Sequence, residues 1–507
     1  MIVEPFAPPA PVTFARRSVA AAMPRTLGVG AVLITAGGCL LLAAFLGDDL
    51  WSGTGALLPM YCLGLLCIGV LLWWEATRQR TGVLPSWTSP PVLIGGWTLA
   101  WIYVPAGVSF LDDSVLDPLT LARGGEAVLL AGLPLTCGAL AVLSLSYHMT
   151  ARVLRGSARP AVGTETLVPL RRAVFLYLAS VAARALRLAT LGMGFGADLA
   201  SWGALQSVDQ WIGYIEDLRF LALALLVAHV IRRRTGHFWL GSAVLLEFVL
   251  GVSSGFLTPV ILPVVLCVVA AAAFNRLRGR HLALIATAAL VVSTFVPVIA
   301  AVRDNRLGVI GTADAVSVGD VLTAPWRYWF AGVSSGDGVY RKVFGRQAEV
   351  ASATGLVVTL TPAVVPYEGL ERFLSLPAGL VPRVLWPDKP SLSRGVWFSS
   401  TFRGLPADTT SYSAMTIFSE GYLFYGWTGT VLAMLIAGAV LAVVRRGLDT
   451  PRLFVVYFAL VPTILQIEPE LSSYLTTFVQ RSVVFLVAFV LLRQAVASGA
   501  GGQLARP

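Results

Sequence analysis

Two runs late in the chain gather residue types suited to a charged, hydroxyl-bearing substrate. The first, Val381 to Gly395, reads VPRVLWPDKPSLSRG, and the second, Phe418 to Gly429, reads FSEGYLFYGWTG. Pro382, Pro387 and Pro390 make the first run rigid and non-helical, which fixes the directions of Arg383, Asp388, Lys389 and Arg394. Guanidinium forks hold phosphate oxygens in a set geometry, and several together neutralise a pyrophosphate. Departure of a phosphorylated leaving group needs that charge stabilisation and gains from a group that accepts a hydroxyl proton. Glu420 and Asp388 are the carboxyl candidates for that second task, with Glu368 and Glu371 as weaker alternatives. Plainer readings stand beside them: a helix N-terminal carboxylate for Glu420 and a Pro-Asp turn for Asp388. Trp386 offers a ring for stacking on a sugar, against the commoner use of tryptophan as an interfacial anchor.

The elements that must position these residues are set by lipid. Of 507 residues, 56% are hydrophobic and 13% charged, and the mean hydropathy is +0.77, far above what a water-soluble fold needs. Apolar stretches of about 20 residues recur from Thr26 to Leu492, which predicts an all-α polytopic membrane protein of about twelve spans. They fall near 27–46, 55–74, 91–110, 127–148, 168–191, 212–231, 238–256, 258–274, 282–301, 421–443, 452–467 and 474–492. The expected organisation is a disordered tail over 1–26 and nine spans over 27–301. A long outer segment follows over 302–412, then a re-entrant turn with three spans over 413–494 and a second tail over 495–507. The first 25 residues carry four prolines before Arg16 and read as a tail rather than a signal peptide.

The charge pattern orients these spans. With the N-terminus in the cytoplasm, the inner segments collect Arg78, Arg80, Arg152, Arg155, Arg232, Arg233, Arg234, Arg276, Arg445 and Arg446 among others, while the short outer loops collect only Arg123. Asp48, Asp112, Asp198, Asp209, Glu468 and Glu470 fall outside, so both termini are expected in the cytoplasm. The net charge of +10 is thus spread by topology rather than gathered into a nucleic-acid patch. His148, His229, His237 and His281 all map to the inner half, which leaves a carboxylate as the outer-face base. The five cysteines lie in apolar stretches with no CxxC or Cys/His cluster, so neither a disulfide framework nor a zinc site is expected. No P-loop or dinucleotide fingerprint is found.

Roughly 110 residues between Arg303 and Tyr412 lie outside, and a connection of that length carries function more often than not. Leu356 to Val365 is apolar but short, and Trp326, Tyr328, Trp329 and Phe330 suit an interfacial helix, so amphipathic and re-entrant pieces lying on the bundle are expected. Its eleven basic residues read either as a solvated basic loop or as an anion site. Arg184, Arg187, Arg219 and Arg481 fall in or near the outer halves of spans. An unpaired charge there costs at least about 2.5 kcal/mol, so each needs a partner. Glu216, Asp217 and Glu247 are the evident partners, and structural ion pairs and a substrate role are both open.

The run PR-x-LWPDKP-x-x-x-x-G at Pro382 to Gly395, the run E-G-Y-x-x-x-G at Glu420 to Gly426, and the span layout with a late outer loop resemble the Wzy-type oligosaccharide repeat-unit polymerases. The resemblance implies a GT-C-like fold in the bacterial cytoplasmic membrane and metal-independent transfer at its outer face without a cofactor. The donor would be a glycan on undecaprenyl pyrophosphate and the product O-antigen or exopolysaccharide, with a chain-length regulator as a protein partner. Family practice assigns outer-loop arginines to the pyrophosphate, which here falls on Arg383 and Arg394 with Lys389 alongside. An O-antigen ligase shares the donor but relies on an outer-face histidine, which this topology does not supply. A lipid-linked glycan flippase or transporter would also have many spans and buried charges, though usually with paired repeats. A noncatalytic scaffold for envelope assembly is the third alternative.

Overall fold

Lipid offers backbone groups no outside partner, so a chain that crosses it closes its hydrogen bonds within helices. The computed structural model of the protein follows this rule: among the described residues every regular element is helical and no strand occurs. The structure describes residues 61, 64–70, 72, 84–111, 120, 124–154, 168–191, 205–254, 256–274, 295–296, 298–299, 339–369, 376–381, 386, 394–405 and 415–501.

The elements run in order from α1 (Pro90–Thr98), through a π-helical stretch at Leu99–Tyr103, into α2 (Val104–Leu111). There follow α3 (Glu126–Val153), α4 (Leu170–Leu191), α5 (Leu205–Arg233), α6 (His237–Ser254) and α7 (Leu257–Phe274). Next come α8 (Val339–Leu360), the short α9 (Leu376–Leu380) and α10 (Gly395–Arg403). The last three are α11 (Glu420–Leu448), α12 (Phe454–Ile464) and α13 (Leu471–Gly501). Pro90–Ser109, Ala127–Val153, Glu420–Leu448 and Leu471–Gln494 are each long and apolar enough to cross a membrane. The helices α6, α7 and α12 are apolar but shorter.

Burial explains the arrangement. Every residue of α12 is buried, as expected of a helix apolar all round. The stretch Phe220 to Ala228 of α5 is no more than 3% exposed, and α5 packs against α4, α7, α12 and α13. By contrast Phe175, Leu178, Val483, Val487 and Leu491 stay exposed on α4 and α13, the composition expected of a lipid-facing side.

Two findings depart from the hydropathy reading. Within the segment expected to lie on the bundle, α8 is a continuous helix that packs along α3. The contact depends on small residues, since a Cβ on Gly132 of α3 would stand 2.6 Å from the Gly355 backbone nitrogen. Close backbone approach of this kind holds helices together where lipid removes the hydrophobic drive. The apolar run from Leu356 is therefore the end of α8, followed by a turn at residues 361–365. At the other end, α13 continues to Gly501, beyond the expected limit at 494, where Gln494, Ala495 and Ala497 favour extension of an existing ladder.

Candidate functional site

The helix α11 is broken one turn from its start. Tyr425 (φ −157°, ψ 42°) and Gly426 (φ 58°, ψ −139°) leave helical geometry, and only glycine adopts the second conformation without steric cost. The break folds the first turn back on the second leg so closely that a Cβ on Gly421 would lie 2.8 Å from the Thr430 Cα. It also strips the Leu423 and Phe424 carbonyls of their helical partners. The strap that follows α8 supplies replacements: the Glu368 amide donates to the Leu423 oxygen at 2.9 Å and the Gly369 amide to the Phe424 oxygen at 3.3 Å. A broken membrane helix persists only where neighbours satisfy the freed groups in this way.

Glu368 carries the strap to α10. The Arg394 guanidinium forms a fork on the Glu368 carboxylate, with Nη1 donating to Oε2 at 2.8 Å and Nη2 to Oε1. Arg394 is also stacked on the Trp397 ring, 3.6 Å from its centroid, and only 4% exposed. Its backbone amide donates to Glu470 Oε1 at 2.6 Å. Two residues later, the start of α13 meets Glu420: the Ser472 amide and hydroxyl donate to Glu420 Oε2 and Oε1 at 2.7 and 2.8 Å. Glu420 is 1% exposed, and its carboxyl satisfies a helix N-terminus that would otherwise leave donors bare. The two patterned runs therefore converge, Arg394 of the first reaching Leu423 of the second through Glu368.

A second charged group lies between α4, α5 and α6 and reaches the surface at Arg187, whose side chain is 42% exposed. Arg184 of α4 pairs with Glu247 of α6 at 3.3 Å and with Glu216 of α5 at 3.7 Å. Arg187 pairs with Glu216 at 3.2 Å, and Arg219 pairs with Glu216 at 3.0 Å and Glu247 at 3.7 Å. The Tyr177 hydroxyl adds a contact to Glu247 at 3.4 Å. On the adjoining face of α5, Asp217 receives Arg481 through Nε at 2.7 Å and Nη2 at 3.0 Å. Thr463 and Gln466 accept from the same guanidinium. Charges placed together in a low-dielectric interior need this pairing to offset their lost hydration.

The structure thus joins Arg184, Arg187 and Arg219 into one network and sets Arg481 beside it. It places Arg394 in a separate cluster with Glu420 close by, across Glu470 and Ser472. Arg481 stands nine residues beyond Ser472, roughly 14 Å of helix rise. Trp386 is 42% exposed. Arg383, Asp388 and Lys389 lie outside the described residues. Sequence reasoning ranked Glu368 low and passed over Glu470 and Ser472. The one available signal for those two was an acidic residue and a serine at the start of an apolar run, the pattern of a helix N-terminus. Among the described residues no group of three or more metal-ligating side chains is found.

A family model described as Domain of unknown function (DUF8712) matches residues 179–464. No curated protein and no solved structure matches the chain.

Proposed function

We propose that this chain, which belongs to the DUF8712 family, is a membrane glycosyltransferase that joins undecaprenyl-pyrophosphate-linked oligosaccharide repeats into O-antigen or exopolysaccharide. In this reading the protein crosses the bacterial cytoplasmic membrane about twelve times in a GT-C-like arrangement. Both termini are cytoplasmic, the reaction is at the outer face, and a chain-length regulator is the protein partner. The observation that carries the reading is the meeting of the two patterned runs, Arg394 held by Glu368 and Glu368 clipped to the break in α11.

The chemistry requires a hydroxyl of one lipid-linked repeat to attack the anomeric carbon of another. The carbon–oxygen bond to pyrophosphate breaks, the electron pair leaves with undecaprenyl pyrophosphate, and the hydroxyl proton passes to a carboxylate. Arg383 and Lys389 neutralise the leaving group as the charge develops. Arg394 already has a carboxylate counter-charge, so a phosphate at that guanidinium competes with Glu368. Glu420, with both oxygens engaged, anchors α13, and Glu368 has both of its own on Arg394, so in this reading Asp388 takes the proton.

The test is a reaction of purified protein with lipid-linked repeats in the presence of EDTA, with Arg383→Ala and Arg394→Ala beside the parent. A ladder that survives EDTA and vanishes with either substitution supports polymerisation. The second reading, a lipid-linked glycan transporter, draws on the broken helix α11 and the buried network of α4, α5 and α6, both features of transport paths. It predicts movement of repeats across proteoliposomes with no ladder.

A further inference from the structure

The crossing of the strap over the break in α11 has a reciprocal construction. On the strap, Tyr367 lies over Gly426, whose Cβ, were one present, would stand 2.9 Å from the Tyr367 hydroxyl. On the helix, Tyr425 reaches back over Gly369, where a Cβ would stand 4.0 Å from the Tyr425 hydroxyl. Each glycine has a positive φ, 58° at Gly426 and 74° at Gly369, so each tyrosine is seated on a backbone position that carries no side chain. The rings nonetheless remain open, Tyr367 at 40% and Tyr425 at 50% exposure. Between Tyr367 and Gly369 in the strap is Glu368, whose side chain is 20% exposed while the Arg394 that fixes it is 4% exposed. Tyr422 and Trp427 brace the group from beneath, with ring centroids 6.3 Å from Tyr367 to Tyr422 and 6.4 Å from Tyr422 to Trp427.

We infer that Tyr367, Tyr425 and Glu368 form a carbohydrate subsite that takes one sugar ring of the substrate. A pyranose has a face of C–H groups edged by hydroxyls. An aromatic ring matches the face through dispersion and its negative π-cloud. A carboxylate locked in one orientation accepts from hydroxyls on the edge without losing rotamer freedom on binding. Simple membrane-interface tyrosines need neither the locked carboxylate nor the glycine seats. The inference refines the proposed function, since it assigns the sugar of that reaction, but the subsite itself acts without any transfer step.

The test uses full-length detergent-purified protein and saturation-transfer difference NMR with the methyl glycosides of glucose, galactose, mannose, rhamnose and N-acetylglucosamine. At least one probe is expected to show transfer to its C–H face in the parent. Tyr425→Ala weakens that binding about tenfold, the loss of one stacked ring, whereas Tyr425→Phe retains it, and Glu368→Gln weakens it with the ring contact kept. Tyr425 is half exposed, and melting curves equal to the parent establish that Tyr425→Ala is folded. Transfer unchanged by Tyr425→Ala and Glu368→Gln overturns the subsite, as does absence of transfer from every probe in the parent. Neither outcome bears on polymerisation, which is read separately from the ladder, and a protein that binds glycosides but makes no ladder loses the proposed reaction while keeping the subsite.

Discussion

Replacing Glu420 by alanine removes the acceptor for two donors at the start of α13, the Ser472 amide at 2.7 Å and its hydroxyl at 2.8 Å. Both lie where Glu420 and Ser472 are 1% and 4% exposed, so water does not readily replace the carboxyl. A buried donor left bare costs about 1–3 kcal/mol, and the hydroxyl, free to rotate, falls at the low end. The sum is roughly 3 kcal/mol for Glu420→Ala and about 1 kcal/mol for Ser472→Ala, which loses only the hydroxyl bond. Since the two changes share one contact, the double variant should be about 1 kcal/mol less destabilised than their sum. Thermal melting of the detergent-purified protein by tryptophan fluorescence reads these differences, as a fall on the order of 5 °C for Glu420→Ala. Glu420→Gln keeps one acceptor oxygen and belongs between parent and alanine. Coincident melting of Glu420→Ala and the parent, with activity lost, would refute the anchoring role and return Glu420 to proton transfer.

The remaining outcomes follow from the same contacts. Arg481→Leu leaves Asp217, whose side chain is 15% exposed, without its guanidinium and should cost about 3 kcal/mol, the low end for a buried pair, while Arg481→Leu with Asp217→Leu recovers most of it; melting of the three proteins checks the order. Gly355→Val places side-chain atoms against the α3 backbone around Val128 and Gly132, so it should abolish a monodisperse folded peak on size exclusion, whereas Ala353→Gly should leave one. Gly426→Ala forces a side chain to φ 58° and toward the Tyr367 hydroxyl, costing about 1–3 kcal/mol. Measured melting and polymer yield should both fall for this variant and be spared by Gly447→Ala, where a Cβ meets nothing within 4 Å.

How far the sequence carried the fold depended on what each helix spends its surface on. The helix α3 buries large apolar side chains and is plain in the hydropathy. The helix α8 escaped notice because Arg341, Lys342, Arg346 and Glu349 mask its first half, and beside Val350, Leu356 and Val357 its buried face is built from Ala348, Ala351, Ser352, Ala353 and Thr354. Small residues pack by close approach rather than by apolarity, so no hydropathy window registers them. The candidate partners of Arg184, Arg187, Arg219 and Arg481 were legible, because a charge set among apolar residues needs a counter-charge. The links around Arg394 were not. Glu368 lies 26 residues before it and Glu470 76 residues after, while Ser472 stands 52 residues beyond Glu420. Such pairings depend on the broken turn of α11, and the glycines of the E-G-Y-x-x-x-G run hint at a bend without showing what fills it.

The most direct test of the proposed reaction is the stoichiometry of carrier release. Purified protein in liposomes is supplied with undecaprenyl-pyrophosphate-linked repeats labelled in the lipid, and free undecaprenyl pyrophosphate is counted against repeats joined. Glycosyl transfer predicts one carrier freed for each new linkage, and no release when Arg383 is replaced by alanine. Repeats that cross the bilayer intact, with no carrier freed, would contradict it.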